Sequence, residues 1–443
     1  MTFGAERLAT MLAAIDPAWR DAKFCVAFSG GLDSTVLLHA MAALVAPGGA
    51  AIRAVHVDHG LQPGSADSAE RCRQSCLLAG IQLDVIALGL ANTGGESIEA
   101  AAREARYAAL ARQLAPGEWL LTAHHRDDQL ETVLIQLLRG AGVAGLAAMP
   151  ARARLGPGWH VRPLLDVDRA ELAGYAGREG LEWQQDPMND ATRFDRAWLR
   201  ARVLPAVRER WPAAATTVAR SARHFAEASR LLAELAAADA AGVIDDERLS
   251  LEGLGRLSRE RRVNLLRWWL RRQGLRPPPA SRLAAAMPAF FEARRDAAPC
   301  LRWDDGEVRR YRGRLYAMAP LPHAPSAAIT GSGAAFELGT GLGRFGLVSG
   351  QQGGLCARLA ASAECRFRTG GESLRPHPGR PRKRLKDLCQ ESGVVPWMRD
   401  RLPLVFVSDR LAAVGDLWID AEFAVPEGPP ALKPVWTGRP RLF

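Results

Sequence analysis

No apolar run in the 443-residue sequence reaches the length of a membrane span. Glu6 and Arg7, then Asp16 and Pro17, interrupt any signal-peptide core near the start. A membrane is therefore not an expected partner, and a cytoplasmic location is expected. Cysteine is scarce: seven residues, an odd number, with no Cys-x-x-Cys pair and no zinc spacing. Free thiols in a reducing compartment follow, with neither zinc nor an iron–sulfur cluster expected. Cys72 and Cys76, four apart on an expected helix, read as buried small residues. The two familiar phosphate signatures are also missing, since there is no G-x-x-x-x-G-K-S/T and no G-x-G-x-x-G after the first strand.

What the chain has in excess is positive charge. A net charge of +10 and a pI near 9.7 predict attraction to a polyanion. The length suits two or three domains, each with its own core. Through the first third, apolar runs alternate with helical periods, the pattern of a parallel sheet wrapped by helices. Strands are expected at about 24–28, 52–57, 82–88 and 119–123, with helices at about 35–45, 68–79 and 97–114. Right-handed crossovers would gather the carboxyl ends of these strands on one edge, where ligands of open α/β sheets bind.

The first strand runs into Ser29-Gly30-Gly31-Leu32-Asp33-Ser34. Two glycines let the backbone approach an anion closely, and the helix start that follows offers free amides. Ser29 and Ser34 add hydroxyls, and Asp33 sits where a magnesium ion could be held. An ordinary strand-to-helix turn, with Asp33 or Ser34 as a cap, accounts for the same residues equally well. Further on, Leu130, Val133, Leu134, Leu137 and Leu138 form an apolar helical stripe that leaves Asp128 and Glu131 on a neighbouring face. Two carboxylates there could hold an ammonium group, although Asp128 with Glu131 three residues later also fits a capping box. Adjacent His124 and His125 are poorly placed to chelate one metal ion. Arg103 and Arg106 lie one turn apart beside Glu104, on what could equally be a solvated face.

Taken in order, Ser29 to Ser34, His56-Val57-Asp58-His59-Gly60-Leu61, Arg103-Glu104-Ala105-Arg106-Tyr107 and the stretch from Thr122 to Val133 resemble the PP-loop pyrophosphatases. Within that superfamily they look like the tRNA(Ile)-lysidine synthetases in their longer form. The resemblance implies a PP-loop, adenine nucleotide α-hydrolase-like α/β domain at 1–211. A mainly helical domain would follow at 212–325 and a small α+β domain at 345–443, both binding tRNA. It implies ATP held by Ser29, Gly30, Gly31, Leu32, Asp33, Ser34 and Asp58, with Mg2+ on Asp33. Lysine would bind Asp128 and Glu131, and Arg103, Arg106 and His124 would line the reacting centre beside Asp33. The implied reaction joins L-lysine to C2 of the wobble cytidine of isoleucine tRNA with a CAU anticodon, through an adenylated intermediate. A homodimer is compatible with all of this. The alternatives are a tRNA thiolase on the same scaffold and a tRNA-binding protein without catalysis.

Downstream, Trp183 to Asn189 and Phe194 to Arg200 resemble the closing signature of that catalytic domain, with Ala197 where the family usually carries asparagine. Arg196 and Arg200 are left for phosphate or tRNA contact. The stretch 213–241 is alanine-rich and helical in period, and arginines then crowd around Trp268 and Trp269, which read as helical core. A linker is expected near 320–340. Beyond it, Arg380, Arg382, Lys383, Arg384 and Lys386 form a basic segment suited to tRNA phosphates. A short helix from Leu385 and a hairpin around Ser408-Asp409-Arg410 complete the reading.

Overall fold

A computed structural model of the chain describes residues 2–45, 52–58, 65–88, 98–184, 194–294, 297–321, 323, 335–339, 341–350, 354–425 and 431–443. The motif residues His59, Gly60 and Leu61, the run from Gln185 to Asn189, and most of the expected linker lie outside them. The chain divides into two compact units, Met1–Leu232 and Ala233–Phe443.

In the first unit the order is α1 (Ala5–Ile15), β1 (Phe24–Ala27), α2 (Leu32–Leu44), β2 (Ile52–Asp58), α3 (Ser65–Leu78), β3 (Gln82–Ala87), α4 (Ile98–Gln113) and β4 (Trp119–Leu121). Then come α5 (Arg126–Leu138), α6 (Val143–Leu146), β5 (Arg152–Leu155), β6 (Gly158–Val161), α7 (Arg169–Arg178), α8 (Asp195–Trp198), a π-helical turn over Leu199–Val203, and α9 (Leu204–Arg210). The strands form one sheet in the order β3-β2-β1-β4-β6-β5, parallel except for the edge strand β5. All four residues of β1 are buried, as expected of a central strand covered on both faces. Its alternation splits two cores: Phe24 and Val26 pack with Leu12, Leu37, Met41 and Leu172, whereas Cys25 and Ala27 pack with Leu110, Leu114 and Leu120. Cys72 and Cys76 are buried in the first of these cores, as their spacing suggested.

The chain runs from β1 outward to β2 and β3, then returns to place β4 on the other side of β1. That reversal opens a crevice at the carboxyl ends of β1 and β4, the place where doubly wound sheets bind ligands. The four expected strands and three helices are present within a few residues of their predicted bounds. Strands β5 and β6 were not anticipated, because Arg152, Arg154, Gly158 and His160 break up the apolar signal of two four-residue segments.

Helix α10 (Ala214–Ala240) realises the alanine-rich period. The second unit carries helices at Leu251–Gly255, Arg259–Arg272 and Ala280–Glu292, with a five-stranded antiparallel sheet between residues 244 and 318 alongside them. Leu265, Leu266, Trp269 and Leu270 form its core with Leu283, Phe290 and Leu315. Trp269 is fully buried and donates Nε1–H to Glu247 O at 2.8 Å, while Trp268 is partly buried against the same core. The remainder is a small α+β region whose sheets are antiparallel throughout. Its hairpin joins Leu404–Val407 to Arg410–Val414, with Ser408 and Asp409 at φ 48° and 58°, the left-handed pair of a two-residue hairpin turn.

Candidate active site

The loop after β1 is held from within. Ser34 Oγ lies 3.0 Å from Ser29 Oγ, donates to Gly31 O at 3.0 Å and accepts the Ser29 amide at 3.2 Å. Gly31 is the N-cap of α2 without any side-chain cap, so neither Asp33 nor Ser34 is used as the capping residue that an ordinary turn would need. Gly30 adopts φ +79°, and a Cβ there would stand 2.9 Å from both Cys72 Sγ and Gln184 Nε2. Gln184 braces the loop from the other side, its amide donating to Gly30 O at 2.8 Å while Ser68 Oγ donates to its Oε1 at 2.7 Å. Gly30→Ala is expected to lower stability by about 1–2 kcal/mol, the cost of a left-handed non-glycine residue. A thermal melt checks the stability, and ATP binding should weaken with it because the anion-facing backbone must shift.

His125 caps α5, its Nδ1 accepting the Asp127 amide at 3.3 Å. The opposite nitrogen, Nε2, stands 3.6 Å from Asp33 Oδ2 and 3.5 Å from Asp128 Oδ2. Burial alone would lower its pKa, but contact with Asp33 and the fields of Asp128, Asp33 and Asp127 outweigh burial and raise it. One imidazole thus joins the carboxylate of the β1 loop to the Asp128 carboxylate of α5. Asp33 Oδ1 is buried and has no hydrogen-bond partner among the described residues, although Arg169 Nε reaches within 3.9 Å.

Asp128 does close a capping box, but as its third residue and not its first: Oδ2 accepts the His125 amide at 2.9 Å. Glu131 takes no part in the cap. Its carboxylate is buried and receives Arg200 through both oxygens, Nη2 donating to Oε2 at 3.0 Å and Nε to Oε1. Arg200 Nη2 also donates to Asp128 Oδ1 at 3.0 Å, and Arg196 Nη1 lies 3.8 Å from each carboxylate. Burial pushes the Glu131 carboxyl upward despite Arg200. Burial works against the Arg200 charge as well, but contact with Glu131 and the fields of Glu131, Asp128 and Asp33 together outweigh it and hold the guanidinium more firmly charged. The two acids therefore form a socket for a cation, and in this structure a guanidinium of the same chain fills it. Arg196 and Arg200, expected to be available for phosphate, are engaged here because the π-helical turn and α8 bring them over α5. Ala197 is buried beside them.

On the other side of the crevice, His124 Nδ1 lies 2.8 Å from Thr122 Oγ1, which lies 2.8 Å from His160 Nε2. Burial first, then Arg162, His160, Arg103 and Arg196, hold His124 well below its ordinary pKa. Arg106 has a buried Nε with no partner among the described residues, and burial lowers its pKa, opposed in part by Tyr107 and reinforced to a lesser degree by Arg103. Arg103 is exposed, with its Cζ 5.2 Å from the centre of the Tyr107 ring. The buried guanidinium of the pair is therefore Arg106. Asp58 ends β2, on the same sheet edge as the loop.

The basic segment belongs to the second unit. Arg382 donates to the fully buried Asp420 at 2.7 Å, and Lys383 pairs with Glu391 at 2.9 Å, so two of its five cations are neutralised by acids outside the segment. Arg380, Arg384 and Lys386 are exposed, with no ion pair among the described residues. Arg382→Ala should cost about 1–3 kcal/mol by leaving Asp420 without its cation. Arg384→Ala should leave the melting temperature unchanged and lower the salt slope of tRNA binding by about one. Thermal melts and binding titrations across salt separate the two.

His125, Arg169, His160 and Arg162 carry no role in the sequence reading. Asp33 and Asp128 each follow a recognisable signal, but the imidazole between them shows only once β1 and β4 are neighbours. The polar pair His160 and Arg162, two apart at the end of β6, was the available hint.

A PP-loop domain model matches residues 5–207, a TilS substrate binding domain model residues 249–316, and a TilS substrate C-terminal domain model residues 363–436. The tRNA(Ile)-lysidine synthase of Alkalilimnicola ehrlichii is 43% identical over 432 residues, covering 96% of this chain and 95% of that one. The tRNA(Ile)-lysidine synthase of Pseudomonas aeruginosa is 43% identical over 421 residues, covering 92% of each. Among solved structures, the U34-tRNA thiolase NcsA of Methanococcus maripaludis aligns at TM-score 0.41 and 15% identity, over 50% of this chain and 78% of that one. A serine–glycine loop at a sheet switch point, a two-carboxylate socket beside it and end-to-end relatives agree: the chain belongs to the tRNA(Ile)-lysidine synthase family.

Proposed function

We propose that the protein ligates L-lysine to C2 of the wobble cytidine of isoleucine tRNA bearing a CAU anticodon, at the expense of ATP. The observation that carries this reading is the cation socket of Asp128 and Glu131, joined through His125 to Asp33 of the anion-binding loop. Such a pair of neighbouring subsites suits a reaction in which a nucleotide phosphate and an ammonium group must meet. The C2 oxygen of cytidine attacks the α-phosphate and pyrophosphate leaves. The ε-amine of lysine then attacks C2, and AMP leaves.

In this reading Ser29, Gly30, Gly31, Leu32 and Ser34 cradle the phosphates, and Asp58 lies on the nucleotide side. Asp33 would hold Mg2+, for which its buried Oδ1, without a hydrogen-bond donor among the described residues, is a suitable ligand. Bound there, the ion supplies positive charge to the phosphates. The lysine ammonium takes the carboxylate oxygens that Arg200 occupies, and Glu131, whose pKa burial raises, is fitted to receive its proton. Arg106, Arg103 and His124 surround the reacting centre. Arg196 and Arg200, once displaced, and Arg380, Arg382, Lys383, Arg384 and Lys386 are offered to tRNA. The regions 1–211, 212–325 and 345–443 serve as catalytic, helical and C-terminal tRNA-binding parts of a cytoplasmic enzyme, with a homodimer compatible. Among the described residues no helix is long and apolar enough to cross a membrane.

The test is mass spectrometry of CAU-anticodon isoleucine tRNA after incubation with the protein, ATP, magnesium and isotopically labelled lysine. Label on the anticodon cytidine is the expected result. No adduct, but sulfur gained from a sulfur donor, would move the protein to the thiolase branch.

A further inference from the structure

Arg162 is a buried cation that no carboxylate pairs with among the described residues. Its guanidinium donates to Pro150 O at 2.8 Å and, through Nη2, to His160 Nδ1 at 2.9 Å. Keeping such a charge unpaired in the interior is expensive, so its position calls for a reason.

The direction of each hydrogen bond can be derived in turn. A guanidinium only donates, so His160 Nδ1 must accept and carries no proton. His160 is then neutral with its proton on Nε2, which donates to Thr122 Oγ1 at 2.8 Å. A second proton on His160 would place two donors, both cationic, against one another. Thr122 is buried, and its own hydroxyl proton has one acceptor among the described residues, His124 Nδ1 at 2.8 Å. If His124 donated along that line, the hydroxyl proton would be stranded in the interior. Nδ1 of His124 therefore accepts, and its proton sits on Nε2, the ring nitrogen that does not face Thr122.

We propose that Arg162, His160 and Thr122 are positioning residues that lock His124 as a neutral Nε2–H donor to a phosphoryl oxygen of the bound nucleotide. This rests on the reading of the crevice as a nucleotide site. The groups around His124 favour an anion as its acceptor: Arg162, Arg103 and Arg196 are all cationic and His160 is neutral. The same arrangement removes His124 as the base that takes the lysine proton, since the outward nitrogen already holds one and the inward nitrogen is occupied. It resists protonation for two reasons that act together, burial and the positive field of Arg162.

The test uses the full chain labelled with 15N in histidine, with the His124 signals assigned by their loss in His124→Gln. The expected spectrum has an unprotonated Nδ1 and a protonated Nε2 that do not titrate between pH 6 and pH 9. Thr122→Val, which keeps shape and removes the hydroxyl, should mix the tautomers of His124. It should also slow tRNA-dependent pyrophosphate release by about 100-fold, the scale of losing one oriented donor, without raising the KM for lysine. Glutamine places an amide nitrogen near the position of Nε2 and asparagine near that of Nδ1, so His124→Gln should retain far more turnover than His124→Asn. A proton on Nδ1, an imidazolium at neutral pH, or full turnover by Thr122→Val despite a shifted tautomer would overturn the proposal. The spectrum needs no substrate, so it decides the relay even if no lysidine forms. Lysidine formed by a protein whose His124 carries its proton on Nδ1 would sink the relay alone.

Discussion

Asp33→Ala is expected to abolish tRNA-dependent release of pyrophosphate from ATP, a loss of at least about 1,000-fold, while tRNA affinity stays as it was. The carboxylate stands at the first turn of α2 with one oxygen facing His125 and the other lacking a hydrogen-bond donor among the described residues. Among the described residues Asp33 is no part of the cores around β1 and α2, so the variant should fold and melt as the native protein does. His125 loses one of its two carboxylates but keeps Asp128 at 3.5 Å and its cap on Asp127. The exposed cations Arg380, Arg384 and Lys386 belong to the other unit and are untouched by the change. Filter binding alongside the pyrophosphate assay reads both quantities. Equal loss of catalysis and tRNA affinity would show that adenylation and tRNA binding do not separate in this way.

Glu131→Gln should raise the KM for lysine by roughly ten- to a hundredfold, the value of a charged hydrogen bond of about 1.5–3 kcal/mol, with adenylation changed far less. The side chain is fully buried, and glutamine preserves its volume. What the variant removes is half of the negative charge that holds a cation over α5. Arg200 then keeps Asp128 as a partner and, being well exposed, recovers the rest from water. The fold therefore survives a change that the site does not. The lysine-dependent step and the pyrophosphate-releasing step are measured separately on the same preparation. An unchanged KM for lysine would remove Glu131 from the socket.

Much of the first unit could be read from the chain because each signal there is local. A short apolar run ending in two glycines gives β1 and its loop, and Asp128 and Glu131 stand out as two acids beside an apolar stripe. The cation in that socket could not be read, because Arg200 and Glu131 lie 69 residues apart and are joined only through a π-helical turn. Strand β6 stayed hidden for the same reason that it matters: His160 interrupts its hydrophobic pattern in order to serve a polar chain. In the second unit, strands rich in arginine look like loops until their partner is seen. Glu307, with no exposed surface, accepts from both Arg302 and Arg309 and turns two apparent surface charges into part of a sheet.

Asp420 has a consequence of the same kind. From a fully buried position it accepts the Arg375 amide at 2.9 Å, the Glu422 amide at 3.0 Å and the Arg382 guanidinium at 2.7 Å. Both ends of the stretch that carries Arg380 are thus fastened to one carboxylate of the neighbouring sheet region. The conformational entropy of that stretch is surrendered when the chain folds, not when an anion arrives. A polyanion that reached Arg380, Arg384 and Lys386 would meet them on a frame already fixed, and its binding free energy would be spared the cost of ordering a floppy basic tail.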